Sequence, residues 1–154
     1  MAAHGVNEPD ARLRAHRGAQ LPVKLHARSV TLNGVGRASW DAAAEHPSAL
    51  DYLLGALATD LLSGLGEESR RAGYVLDEAE LRLEVFLENP LVVAGVIGEE
   101  GSPRIDSIRG SLYLSSSAGE SELRAVWQRT RDKSPVLASL APGITIDIEL
   151  KPVT

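Results

Sequence analysis

From Ser48 to Ala72, Leu50, Leu53, Leu54, Leu57, Leu61, Leu62 and Leu65 recur at intervals of three and four. That spacing stacks side chains along the flank of an α-helix and fits no strand. Ser48 after Pro47 opens the segment as an N-cap, and Gly73 marks its end. At 1.5 Å per residue such a helix runs roughly 35 Å, the diameter of a small domain, so the rest of the chain must be built around it. Between Tyr52 and Leu65 its polar side chains are few, so a single amphipathic stripe does not describe it. The helix is expected to be buried nearly all round.

The flanking segments change period. Leu21, Val23 and Leu25, then Val30 and Leu32, alternate with polar positions, and Asn33-Gly34 offers the left-handed conformations of a turn, so a hairpin is expected over about 21–40. Leu81, Leu83, Val85 and Leu87 alternate with Arg82, Glu84, Phe86 and Glu88, and Ile108, Leu112 and Leu114 alternate with Arg109, Ser111 and Tyr113. Both read as half-buried antiparallel strands. The apolar run Leu91 to Ile97 reads as a short buried segment leading into an exposed loop at Gly98 to Pro103. Residues 120–131 form a helix with Leu123, Val126 and Trp127 inward, and Ser134-Pro135 opens a shorter one that Gly143 ends. Ile144, Ile146, Ile148 and Leu150 make the last strand. The order β, long α, β, β, α, α, β predicts an α+β domain on an antiparallel sheet over residues 20–154, preceded by a polar, partly ordered arm over 1–19 with an edge strand at Arg12 to His16.

Composition narrows the chemistry. A chain of 154 residues has the size of one domain, and 44% hydrophobic content builds a core of Leu, Val, Ile and Ala. Sixteen Lys and Arg against twenty-one Asp and Glu leave a net charge of −5 with no long basic run, which argues against nucleic acid as a partner. There is no cysteine, so disulfides, thiol nucleophiles, Fe–S clusters and Cys-based zinc sites are excluded. His4, His16, His26 and His46 follow no metal-ligand spacing, and no metal or cofactor is expected. No apolar stretch is long enough to span a membrane and the N-terminus lacks signal-peptide order, so a soluble cytoplasmic protein is expected.

Asp60 is the residue most out of place. On a helical wheel it falls within about 60° of Leu53, Ala56, Leu57, Ser63 and Gly64. An unpaired buried carboxylate is costly, so it must sit in an ion pair with an arginine, line a wet pocket, or reach solvent. The buried ion pair is the expectation carried forward. Ser134 reads as a helix cap, since no His lies nearby in sequence and no Gly-x-Ser-x-Gly turn frames a serine. Gly34-Val35-Gly36-Arg37 follows an antiparallel strand and opens no helix, so it reads as a plain turn and not as a phosphate loop. Glu67-Glu68 and Arg70-Arg71 read as a solvated, self-paired surface.

Three segments together resemble the OsmC/Ohr family of osmotically inducible and organic-hydroperoxide-resistance proteins, over about residues 47–151. Pro47-Ser48-Ala49-Leu50-Asp51-Tyr52-Leu53-Leu54-Gly55-Ala56-Leu57-Ala58-Thr59-Asp60 is similar, without a gap, to the family's Pro-Ser-Pro-x-Glu-Leu-Leu-Leu-Ala-Ala-Leu-Gly-Ala-Cys helix. Gly95-Val96 and Pro103-Arg104-Ile105-Asp106-Ser107-Ile108 resemble what lies between the family's two motifs, and Lys133-Ser134-Pro135-Val136 falls where the family has Cys-Pro-Val. The resemblance implies an intertwined homodimer around the long helices and a role in the oxidative-stress response. In the family, one cysteine attacks the hydroperoxide as thiolate and the other resolves the sulfenic acid as a disulfide. The corresponding positions here are Asp60 and Ser134, neither of which can follow that path. The family's active-site Glu would fall on Leu50 or Asp51, of which only Asp51 is an acid, and Arg28 and Arg37 are candidates for the thiolate's partner.

Two functions are therefore expected to compete. In the first, the protein is a non-catalytic homodimer, structural or binding a small, mostly apolar ligand in a pocket of Asp60, Leu53, Leu57, Ser134 and Pro135. In the second, it is an enzyme with non-redox chemistry that uses Asp60 as general acid or base, with Ser134 or an Arg as partner, in the same dimer-interface pocket. The first is the favoured expectation, because no base accompanies Ser134.

Overall fold

The computed structural model describes residues 9–153; the start of the arm, with His4, and Thr154 lie outside the described residues. Two compact units divide the chain after Ala49.

The first unit carries a three-stranded antiparallel sheet of β1 (Arg14–His16), β2 (Val23–Ala27) and β3 (Val30–Gly34), in that order. The short β1 is the edge strand, Arg14 opposite His26. The hairpin between β2 and β3 turns earlier than the sequence suggests. Ala27 pairs with Val30, so Arg28 and Ser29 form the turn and Asn33-Gly34 lie inside β3. Arg28 takes the left-handed conformation, φ 54°, that tight hairpins demand. Asn33 and Gly34 pair with Lys24 and Val23 in the ladder instead of turning the chain. Beyond β3, the Val35 N–H donates to the Pro47 carbonyl and the Ala49 N–H to that of Gly36, and the chain bends at Gly36 and Arg37.

The second unit begins within α1 (Ala49–Arg71) and continues through β4 (Leu76–Leu87), α2 (Pro90–Val93), β5 (Ile105–Ser116), α3 (Glu120–Asp132), α4 (Pro135–Leu140) and β6 (Thr145–Pro152). Its sheet has the order β4-β5-β6. The antiparallel expectation holds for β4 and β5, with Leu81 opposite Leu112, whereas β6 runs parallel to β5, with Leu112 opposite Leu150. The α3-α4 connection carries the chain back across the sheet, as a parallel neighbour requires.

One core joins these elements. Leu57, Leu61 and Leu65 of α1 pack in a cluster with Ile108, Leu112 and Leu114 of β5, Leu123, Val126 and Trp127 of α3, Leu137 of α4, and Ile148 and Leu150 of β6. Each fully buried leucine contributes about 1.5–3 kcal/mol. Within the chain, α1 is not buried all round. The stripe Leu57, Leu61, Leu65, Glu68 and Ser69 is buried, while Gly55, Ala56, Thr59 and Ser63 are exposed, because the opposite face is built of small residues that no element of this unit covers. The run Leu91 to Ile97 is also corrected. The Asn89 side chain caps Leu91 N–H and Pro90 starts α2, turning the chain outward, so Leu91 is 47% and Ile97 100% exposed. On the sheet's outer face the guanidinium of Arg82 lies over the ring of Tyr113 and that of Arg109 over Phe86.

Candidate functional site

Asp60 and Ser134 meet in space. Ser134 is the N-cap of α4; its Oγ accepts from Leu137 N–H at 3.0 Å and donates to Asp60 Oδ2 at 2.5 Å. The same carboxylate oxygen accepts the Val136 N–H at 3.0 Å. The aspartate reaching from α1 thereby satisfies one orphan donor of the first turn of α4 and the cap hydroxyl, while Ser134 satisfies a second orphan donor, the Leu137 N–H. Ser134 is 3% exposed and Asp60 half-buried.

The expected buried ion pair is not what holds Asp60. Among the described residues of 50–153, no lysine or arginine forms a salt bridge with it. Charge-assisted hydrogen bonds from a hydroxyl and a backbone amide stabilise a half-buried carboxylate without a counter-cation. The cap reading of Ser134 is correct in geometry but incomplete, since the hydroxyl's proton goes to Asp60.

An open groove of about 650 Å³ runs along the exposed flank of α1, lined by Tyr52, Gly55, Ala56, Thr59, Asp60, Ser63, Pro135 and Val136. It brings together Asp60 and Pro135 from the expected pocket. Leu57 lies on the opposite side of the helix at 0% exposure in the core, and Ser134 is buried beneath the groove. Leu53 is half-buried and outside the lining, and Asp51 is exposed in the first turn of α1. Arg28 occupies the β2–β3 turn, and Arg37 follows β3 in the first unit. Among the described residues, no three His, Cys, Asp or Glu side chains converge as a metal-ligand set would.

The solvated reading of Glu67-Glu68 fails at Glu68, which is 4% exposed. Its Oε1 receives Arg71 Nη1 at 2.7 Å and Lys133 Nζ at 2.6 Å, and Arg129 Nε lies 3.5 Å from Oε2. The hydrogen bond from Lys133 holds its carboxyl below the usual glutamate range, and Arg71 acts in the same direction against the opposing effect of desolvation. The signal was present in the sequence: Glu68 continues the three-and-four spacing of Leu57, Leu61 and Leu65 onto the buried stripe.

Residues 42–149 match the family model described as OsmC-like protein. Among curated proteins no sequence matches significantly. Among solved structures, the chain is similar to an OsmC-like protein from Mycoplasma pneumoniae, with a TM-score of 0.80 and 13% identity over 96% of this chain and 99% of that one. It is similar to an OsmC-like protein of unknown function from Vibrio cholerae, with a TM-score of 0.74 and 5% identity over 94% and 100%. It is also similar to the organic hydroperoxide resistance protein OhrB of Bacillus subtilis, with a TM-score of 0.61 and 11% identity over 92% and 97%. The family match spans well over half of the residues, so the chain belongs to the OsmC-like family.

Proposed function

We propose that this protein is a cysteine-less OsmC-like homodimer that binds a small, mostly apolar ligand in a cavity along α1 between the two copies, and that it does not reduce hydroperoxides with thiols. It works in the cytoplasm, in the setting of the oxidative-stress response with which its relatives are associated. The observation that carries this reading is the Asp60–Ser134–Val136 contact. Both positions corresponding to the family's cysteines are engaged in fastening α4 to α1: the base beside the Ser134 hydroxyl, Asp60, also holds the Val136 N–H, and the hydroxyl is 3% exposed, closed to an incoming substrate. Beside that contact, the groove lined by Gly55, Ala56, Thr59 and Val136 supplies apolar walls with a carboxylate at one edge, a composition suited to a ligand with few polar groups.

The homodimer is supported by what the chain leaves uncovered. One face of α1 is exposed along Gly55, Ala56, Thr59 and Ser63, and in the first unit Trp40 is 64% and Val30 52% exposed. An uncovered helix face of small residues lets another helix approach closely, and a second copy is the commonest cover.

Native mass spectrometry of the purified protein, with light scattering at micromolar concentration, tests both parts. A species of twice the 16.4 kDa chain mass carrying a co-purified small molecule is expected. A stable monomer overturns the dimer. Turnover of cumene hydroperoxide with a dithiol donor above a heat-treated control overturns the non-reductase reading. Chemical conversion of a bound molecule that Asp60→Asn abolishes would instead favour non-redox acid–base catalysis at Asp60.

A further inference from the structure

The ion cluster at the far end of α1 is unbalanced. Glu68 is nearly buried, yet three cations reach its carboxylate from two elements: Arg71 from α1, Arg129 from the last turn of α3, and Lys133 just beyond it. Arg71 Nη1 and Lys133 Nζ bond the same oxygen, at 2.7 and 2.6 Å, so they lie no farther apart than those two bonds laid end to end. Glu67 approaches Arg71 only to 3.8 Å and is largely in solvent. The cluster thus holds an excess of positive charge on a chain whose net charge is −5. The side chains of Arg71, Arg129 and Lys133 are 57%, 45% and 58% exposed, so one side of each faces Glu68 while solvent reaches the rest. Like charges gathered this closely repel, and an anion at the open side relieves that repulsion. Guanidinium forks paired with an ammonium are the donor set that oxyanions of the phosphate class accept from.

We propose that Arg71, Arg129 and Lys133 form a binding site for a small oxyanion of the phosphate class, with Glu68 as the buried carboxylate that gathers them. The site is distinct from the α1 groove and stands whether or not that groove binds an apolar ligand. Glu68 acts as a template: its two oxygens set the spacing of the cations, and their remaining N–H groups are left for the incoming anion.

The test is titration of the full-length protein with inorganic phosphate and, in parallel, glycerol phosphate at constant ionic strength, read from backbone amide shifts. Saturable shifts confined to the segments around Glu68 and Lys133 are expected. Arg129→Gln and Lys133→Gln should each weaken binding about tenfold, the effect of one charge-assisted hydrogen bond. Lys133→Arg should retain binding, and Arg82→Gln on the outer face of the sheet should leave it unchanged. Tighter binding of the ester would identify the natural occupant as a phosphorylated small molecule, and tighter binding of the free ion as phosphate itself. Shifts that stay linear in phosphate, or that Arg82→Gln reduces as much as Arg129→Gln does, would overturn the site. So would saturation that neither Arg129→Gln nor Lys133→Gln alters, leaving cations that merely answer Glu68 and the helix C-termini.

Discussion

The hydroxyl of Ser134 donates to the carboxylate of Asp60 at 2.5 Å, across 74 residues of sequence. Because the same oxygen also takes the Val136 N–H, Asp60→Ala leaves two donors beside a buried cap without an acceptor. The expected loss is about 1–3 kcal/mol. That is less than the rupture of a buried ion pair would cause, about 3–5 kcal/mol. Asp60→Asn should lose less than Asp60→Ala, since an amide oxygen can accept both donors at reduced strength. Ser134→Ala removes the cap and should cost about 0.5–2 kcal/mol. Urea denaturation of these variants and of the double mutant checks the coupling: strictly additive losses would mean that the two side chains do not act together.

How much of this was legible in the sequence depends on whether a feature repeats locally. The periodicity of Leu57, Leu61 and Leu65 identified α1 and its buried stripe, and Ser134-Pro135 identified the start of α4. The partner of Asp60 was not legible, because local spacing cannot report a contact between α1 and a cap more than seventy residues away. Arginine was the natural guess for a carboxylate on an apolar face, yet the donors turned out to be a hydroxyl and a backbone amide, groups that every serine and nearly every residue carry. What covers the other flank of α1 is not legible for a related reason. Gly55, Ala56 and Ser63 are as compatible with burial as with exposure, so composition alone could not say which side this chain covers.

Glu68 makes stability depend on pH at the acid end. Its folded carboxyl is held below the ordinary glutamate value of 4.5, first by the Lys133 hydrogen bond, so the native state takes up this proton less readily than the unfolded chain does. The resulting stabilisation is fully present above 4.5 and is lost as pH falls from there through the folded-state value. Glu68→Gln should flatten that part of the stability profile and lower the denaturation midpoint at neutral pH. A wild-type midpoint that falls no more steeply than that of Glu68→Gln below pH 4.5 would contradict the pairing.

Gly110 sits at the centre of β5, opposite Leu83. A Cβ there would press on the backbone carbonyl of Arg82 in the neighbouring strand and come within 2.7 Å of Leu83 Cδ2. Backbone cannot step aside in the middle of a three-stranded sheet, so Gly110→Ala should cost about 1–3 kcal/mol by overpacking. Thermal unfolding monitored by circular dichroism suffices. A midpoint equal to that of wild type would show that β4 and β5 do not approach this closely at Gly110.

Gly55 gives a test of the proposed dimer whose sign depends on the answer. It lies on the exposed flank of α1, and among the described residues a Cβ added there meets nothing within 4 Å. Were that flank free in solution, Gly55→Leu would stabilise the protein by up to about 1 kcal/mol, because leucine has the higher helix propensity and no neighbour to disturb. With a second copy seated on the small residues Gly55, Ala56 and Thr59, the added side chain would hold the two helices apart. The expected result is therefore a light-scattering mass that falls from the dimer toward 16.4 kDa on dilution, with a denaturation midpoint lower than that of wild type at matched concentration. A Gly55→Leu variant that is more stable and unchanged in mass would show that no second copy packs against this face.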